Sequence, residues 1–132
     1  MRTHEVMIVV TRGAEFLVLL RSPERRGYWH LPAGGVEVGE TAAEAAAREL
    51  AEETGLRAPV TPLDLELGYE AASGRMRVDS FAAGAPPGWE PVLDKEHTEY
   101  RWCSTRDALD LLAYDEPRKA VRQVARQLEV TT

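Results

Sequence analysis

The sequence holds one cysteine, Cys103, in 132 residues, so an intrachain disulfide and a cage of cysteine metal ligands are both excluded. A lone cysteine is compatible with a reducing compartment, and a cytoplasmic location is expected. No apolar stretch approaches the roughly 18 residues of a membrane span, so no membrane partner is expected. The early run Val6-Met7-Ile8-Val9-Val10 is short, follows Glu5 and leads to no small-residue cleavage site, which makes it a poor signal peptide. Lysine is scarce, at 2 against 14 arginines, and there is a single isoleucine among many alanines. That bias points to a GC-rich, bacterial genome. Positive charge is in deficit: 16 basic against 22 acidic residues give a net charge of −6. Such a balance argues against a protein that grips nucleic acid backbones. It leaves small phosphates open, because a bound divalent metal reverses the local sign.

Hydrophobic residues make up 44% and charged residues 29%, as in ordinary globular proteins. The length suits one domain over residues 1–132 with a real core. Thr3–Val10 and Phe16–Leu20 read as strands of a hairpin around Arg12-Gly13-Ala14-Glu15. Trp29–Leu31 is a short extended piece ending at Pro32. Leu63–Ala71 and Arg75–Ala83 read as strands around Ser73-Gly74, and Tyr100–Cys103 as a last short strand. Arg106–Ala113 and Pro117–Leu128 read as helices, with Leu109, Leu112, Ala120, Val121, Val124 and Leu128 as the apolar stripe. Strands before and after one central helix, with further helices at the end, predict an α/β/α sandwich around a mixed β-sheet.

The central helix is the clearest element. Thr41-Ala-Ala-Glu44 has the form of a capping box, and Gly55 is a natural C-terminal stop. On a helical wheel Ala43, Ala46, Ala47 and Leu50 form an apolar stripe. Glu49, Glu52 and Glu53 form a neighbouring one. Arg48 flanks the carboxylates, and Glu44, one turn earlier, can pair with it. Like charges at i, i+4 cost roughly 0.2–0.5 kcal/mol per pair. These also sit toward the end of the helix that the macrodipole makes unfavourable for anions. A hard cation among them removes that cost. Oxygen donors without cysteine or histidine point to Mg²⁺ or Mn²⁺. Taken alone, the acidic string also fits a solvated helix face.

The stretch Gly34–Leu56 resembles the signature of the Nudix hydrolases: Gly, five residues, Glu, seven residues, Arg-Glu, an aliphatic, any residue, Glu-Glu, any residue, Gly, an aliphatic. Gly34, Glu40, Arg48, Glu49, Leu50, Glu52, Glu53, Gly55 and Leu56 fill it without departure. A chance match is on the order of one in 10⁹ per starting position at average amino-acid usage. The resemblance implies a Nudix-type sandwich and a metal-dependent hydrolase in which water attacks phosphorus of a nucleoside diphosphate derivative. It implies Glu49, Glu52 and Glu53 as metal ligands, the Ala33 carbonyl as a further one, and Arg48 as the group that orients a catalytic glutamate. Glu40 then serves the loop. Gly34 and Gly35 let the backbone approach the substrate.

Outside the signature, Arg21, Arg25 and Arg26 are candidate phosphate contacts or ordinary surface arginines. Tyr28 and Trp29 can each stack on a base or fill the core. The resemblance suggests a metal ligand or general base on the loop before Trp102. Lys95-Glu96, six residues before that tryptophan as in mutator-type members, favours Glu96 over Glu99. His97 and Cys103 read as structural. Glu96–Leu128 also resembles subgroups that act on dinucleoside polyphosphates or on nucleoside triphosphates. Pro32-Ala33-Gly34-Gly35 lacks the lysine usual in the first of these. A nucleoside triphosphate pyrophosphohydrolase is therefore expected. A dinucleoside polyphosphate hydrolase is the alternative, and an idle nucleotide sensor is the alternative from another class. Many relatives are homodimers, so a homodimer is admitted though nothing in the sequence demands it.

Overall fold

A computed structural model of the protein describes residues 3–131. Strand β1 (His4–Arg12) and strand β2 (Glu15–Arg21) form the expected hairpin, turned at Gly13, whose φ of 63° suits glycine. The pair stays hydrogen-bonded only at Thr11↔Phe16 and Arg12↔Glu15. Beyond that the strands part. β2 pairs antiparallel with β3 (Trp29–His30) and with β8 (His97–Cys103). β1 pairs antiparallel with β4 (Ala33–Gly35) and parallel with β7 (Gly74–Gly84) over eight residues. β5 (Thr61–Pro62) and β6 (Leu67–Ala71) both pair antiparallel with β7. The result is one mixed sheet that opens between β1 and β2.

Val6–Val10 are buried without alternation, as expected of a strand covered on both faces. Val6, Ile8 and Val10 pack with Leu50 of helix α1 (Ala42–Thr54) on one side. Met7 and Val9 pack on the other with Ala108 of α2 (Thr105–Leu111) and with Ala120, Val121 and Val124 of α3 (Asp115–Thr131). The α/β/α sandwich read from the order of elements is the fold.

Three local expectations are corrected. The strand expected over Leu63–Ala71 is two short strands, Thr61–Pro62 and Leu67–Ala71. The chain bends between them, with the Leu65 N–H donating to the Leu63 carbonyl at 3.0 Å. The apolar stripe of α1 is rotated from the expected one. Ala45, Ala46 and Leu50 are buried, whereas Ala43 and Ala47 are exposed. Alanine on several sides of the helix carries little facial information, and Glu53, at 3% exposure, belongs to the inward face. Finally, Arg48 does not pair with Glu44. The Glu44 carboxylate instead accepts the Thr41 N–H at 2.9 Å in the capping box.

Candidate active site

The parting of β1 and β2 leaves a cleft of about 870 Å³. One wall is the carboxylate face of α1, brought against β4 by two features. The capping box starts the helix just after the glycine-rich passage, and Gly55, at φ 82°, ends it. Gly34 has no side chain where one would collide with Glu49: a Cβ there would lie 2.6 Å from Oε2 and closer still to Oε1 and Cδ. The Glu49 carboxylate therefore rests directly on the β4 backbone.

One turn on, the Glu53 side chain is buried and accepts the Ala33 N–H at 3.2 Å. Burial is the main cause that pushes its carboxyl up to about 10, with Glu49 next to it pushing the same way and the Ala33 N–H opposing. Arg48 organises the rest. It donates Nε to Glu40 at 2.8 Å and Nη2 to the same carboxylate at 3.0 Å. It also reaches the Gly35 carbonyl at 3.0 Å, Glu49 at 2.8 Å and Glu52 at 3.3 Å. The guanidinium holds the Glu40 carboxyl down to about 2. Glu40 in turn accepts the Glu37 N–H at 3.0 Å, so Arg48 ties loop, helix and strand together.

Another part of the lining comes from the end of β2 and the loops beside it. Arg21, Arg25 and Arg26 all line the cleft. The Arg21 Nε is buried and has no hydrogen-bond partner among the described residues, and its guanidinium lies 5.4 Å from the Tyr28 ring centroid. Arg26 has φ 75°, the one non-glycine residue with positive φ among the described residues. It caps the short helical turn Pro23–Arg25, its N–H donating to the Pro23 carbonyl at 3.1 Å. Arg25 pairs with Glu96 at 2.8 Å. The Ser22 N–H donates to the Glu96 carbonyl at 2.8 Å, which fastens the two loops.

Glu49, Glu52, Glu53, Ala33, Gly34, Gly35, Arg48, Arg21, Arg26 and Glu96 thus border one cleft. Glu99 does not line it. Of the two aromatics, Tyr28 lines the cleft, while Trp29 packs against the core under Arg101. Cys103 is buried in the core. Sequence reasoning missed the surroundings of Glu53. The His97 Nε2 lies 3.8 Å from its Oε1, and the His97 Nδ1 is 2.8 Å from Asp94. The long stretch of chain between Glu53 and His97 carries no local signal of that contact. It also missed Glu5, Tyr69 and Tyr114, which line the far part of the cleft.

The donors fit a hard cation in kind. Glu49 and Glu53 put two carboxyl groups side by side in a buried place, which requires a proton or a cation. The side chains are not drawn into a cage, since among the described residues no three acidic, histidine or cysteine groups stand ready to hold an ion. Arg48 holds Glu49 and Glu52 in this conformation.

The NUDIX domain family model matches residues 1–124. The chain is 40% identical over 129 residues to an octanoyltransferase of Myxococcus xanthus, covering 93% of this chain and 36% of that protein. It is 53% identical over 122 residues to the putative 8-oxo-dGTP diphosphatase 2 of Mycobacterium tuberculosis, covering 90% of this chain and 85% of the relative. It spans 36%, 49% and 64% of the lengths of three of the curated relatives that it matches. Among solved structures, a C. elegans Ap4A hydrolase binary complex superposes with a TM-score of 0.84 at 27% identity, over 97% of this chain and 98% of that one.

Proposed function

The chain belongs to the NUDIX domain family, and from that premise we propose that it is a divalent-metal-dependent pyrophosphohydrolase of nucleoside triphosphates. The observation that carries this reading is the presence of two sets of groups in one cleft: buried Glu53 and Glu49 on the β4 backbone, and Arg21, Arg25 and Arg26. Phosphoanhydride cleavage needs negative charge neutralised on the non-bridging oxygens and a water held in line with the bond that breaks. Glu49, Glu52, Glu53 and the Ala33 carbonyl would hold Mg²⁺ or Mn²⁺, with Glu96 as a further ligand. The bound ion supplies charge neutralisation and makes water a better nucleophile.

The remaining roles fall to side chains of this chain. Arg48 fixes Glu49 and Glu52 through the bonds described above. Arg21 and Arg26, whose side chains border the cleft, bind phosphate oxygens. Gly34 and Gly35 keep the β4 wall free of side chains. A carboxylate, Glu53 or Glu96, takes the proton of the attacking water. Attack on phosphorus leaves a nucleoside monophosphate and pyrophosphate, with no covalent enzyme intermediate. The name of the mycobacterial relative supports a triphosphate substrate. The likeness to the C. elegans Ap4A hydrolase supports a dinucleoside polyphosphate as the alternative. An idle sensor is disfavoured, because Glu49, Glu52 and Glu53 are all present. A panel of nucleoside triphosphates and dinucleoside polyphosphates with Mg²⁺, with both products identified by chromatography, tests the reading. Monophosphate and pyrophosphate from the triphosphates are expected; turnover of the dinucleotides alone would overturn it.

A further inference from the structure

The cleft extends well beyond the carboxylates and arginines. Its far part lies over the first residues of β1 and is closed by β6 and by the start of α3. Tyr28 and Tyr114 stand there as an edge-to-face pair, ring centroids 5.1 Å apart at 89°. Glu5 shares this part of the cleft. Its Oε1 accepts the Tyr69 hydroxyl at 2.6 Å, across 64 residues of sequence. Among the described residues, no arginine, lysine or histidine is paired with Glu5. A half-buried carboxylate at the floor of a ligand cleft, oriented by a tyrosine and left without a cation, is an acceptor awaiting a donor.

We propose that Glu5, oriented by Tyr69, is the base-selecting residue of this cleft and that it selects guanine nucleotides. The inference rests on the nucleotide reading of the site and adds the class of base. Aromatic walls hold any base, because every base has a π-face. Selection therefore falls to the polar group. An ionised carboxylate has about four lone-pair sites and no donor. Tyr69 uses one, which leaves room for two more bonds. Guanine presents two adjacent donors on its Watson–Crick edge, N1–H and N2–H₂, and can meet both carboxylate oxygens. Uracil and thymine present one N–H between two carbonyls, and those carbonyls face the carboxylate as like dipoles. Adenine and cytosine present an amino group beside a bare ring nitrogen. Only guanine makes the bidentate contact without an opposed acceptor. The 8-oxo form keeps the same edge, so Glu5 does not separate the two.

The test compares guanosine and uridine triphosphates in the presence of Mg²⁺, by kcat/KM and by calorimetric binding of their non-hydrolysable imido analogues. A good bidentate base contact corresponds to a preference of about tenfold or more. Wild type should show that preference for guanosine in both readouts. Glu5→Gln, which keeps shape and replaces one acceptor by a donor, should collapse the ratio to near unity. Tyr69→Phe should lower it partway, through KM and not kcat, because it only releases the carboxylate from its orientation. Equal use of the two nucleotides by wild type, or an unchanged ratio in Glu5→Gln, overturns the inference even if hydrolysis is brisk. Guanosine-selective binding that is lost in Glu5→Gln, without turnover of either nucleotide, upholds it and removes the hydrolase reading instead.

Discussion

A methyl group added at Gly34 tests the geometry that joins α1 to β4. Gly34 has no positive φ, so alanine can adopt its backbone conformation. The obstacle is the Glu49 carboxylate, all three terminal atoms of which would lie within 2.6 Å of the new Cβ. Those atoms end a flexible side chain, so Glu49 would swing out instead of the strand moving. The swing breaks the 2.8 Å bond from Arg48. A hydrogen bond to a charged group contributes about 1.5–3 kcal/mol. Part of that is kept, because Arg48 retains Glu40 and the Gly35 carbonyl. Gly→Ala also lowers unfolded-chain entropy, which restores about 0.4–1 kcal/mol. The net expectation for Gly34→Ala is a loss of about 1–2 kcal/mol in urea unfolding, with at least about 100-fold lower turnover, the scale for losing a positioned catalytic group. A double-mutant cycle separates the causes. Glu49→Ala removes the obstructing atoms, so adding Gly34→Ala to it should cost nothing further, a clear departure from additivity. Additive stability losses, or near-normal turnover in Gly34→Ala, would refute the placement of Glu49.

Other perturbations read other parts of the site. Glu53→Gln should lower turnover by at least about 100-fold, and in thermal melts the stabilisation that Mg²⁺ gives wild type by mass action should largely vanish. Arg48→Lys keeps the charge but cannot span Glu40, Glu49 and the Gly35 carbonyl together, so urea unfolding should show a loss of about 1–3 kcal/mol. Burial lowers the His30 pKa to about 4 from an ordinary 6.5. The folded state thus favours neutral imidazole, and that contribution is complete above pH 6.5 and is lost as pH falls toward 4. It amounts to at most about 3.4 kcal/mol, the free energy of protonation that separates the two pKa values. Unfolding of His30→Gln should lose that part of the acid dependence.

The central helix, its caps and the opening hairpin are legible because they rest on local patterns. Thr41 with Glu44, Gly55 and the unbroken Val6–Val10 run each determine a local outcome by spacing or composition alone. The buried face of α1 is not legible in the same way. Alanine fills both sides of the helix, and the inward position of Glu53 depends on the bare β4 backbone at Ala33 and Gly34, which no helical wheel displays. The partners of Arg48 depart from the helical spacing for a related reason. Glu44 lies at the favourable distance along the helix, but the capping box engages it, and Glu40 reaches Arg48 only once the loop has folded back. The far part of the cleft is brought together by long-range pairing. Glu5 meets Tyr69 because β1 runs parallel to β7 and β6 folds back on β7. His97 reaches Glu53 because β8 pairs with β2. None of these contacts leaves a short motif.

Turnover of a nucleoside triphosphate in ¹⁸O-enriched water, with Mg²⁺ and then with excess chelator, distinguishes metal-dependent attack by water from attack by a side chain. One ¹⁸O atom is expected in one of the two products, with no labelled or phosphorylated protein and no turnover once the metal is chelated. Undiminished hydrolysis in chelator, or a phosphorylated enzyme that can be trapped, would contradict that expectation.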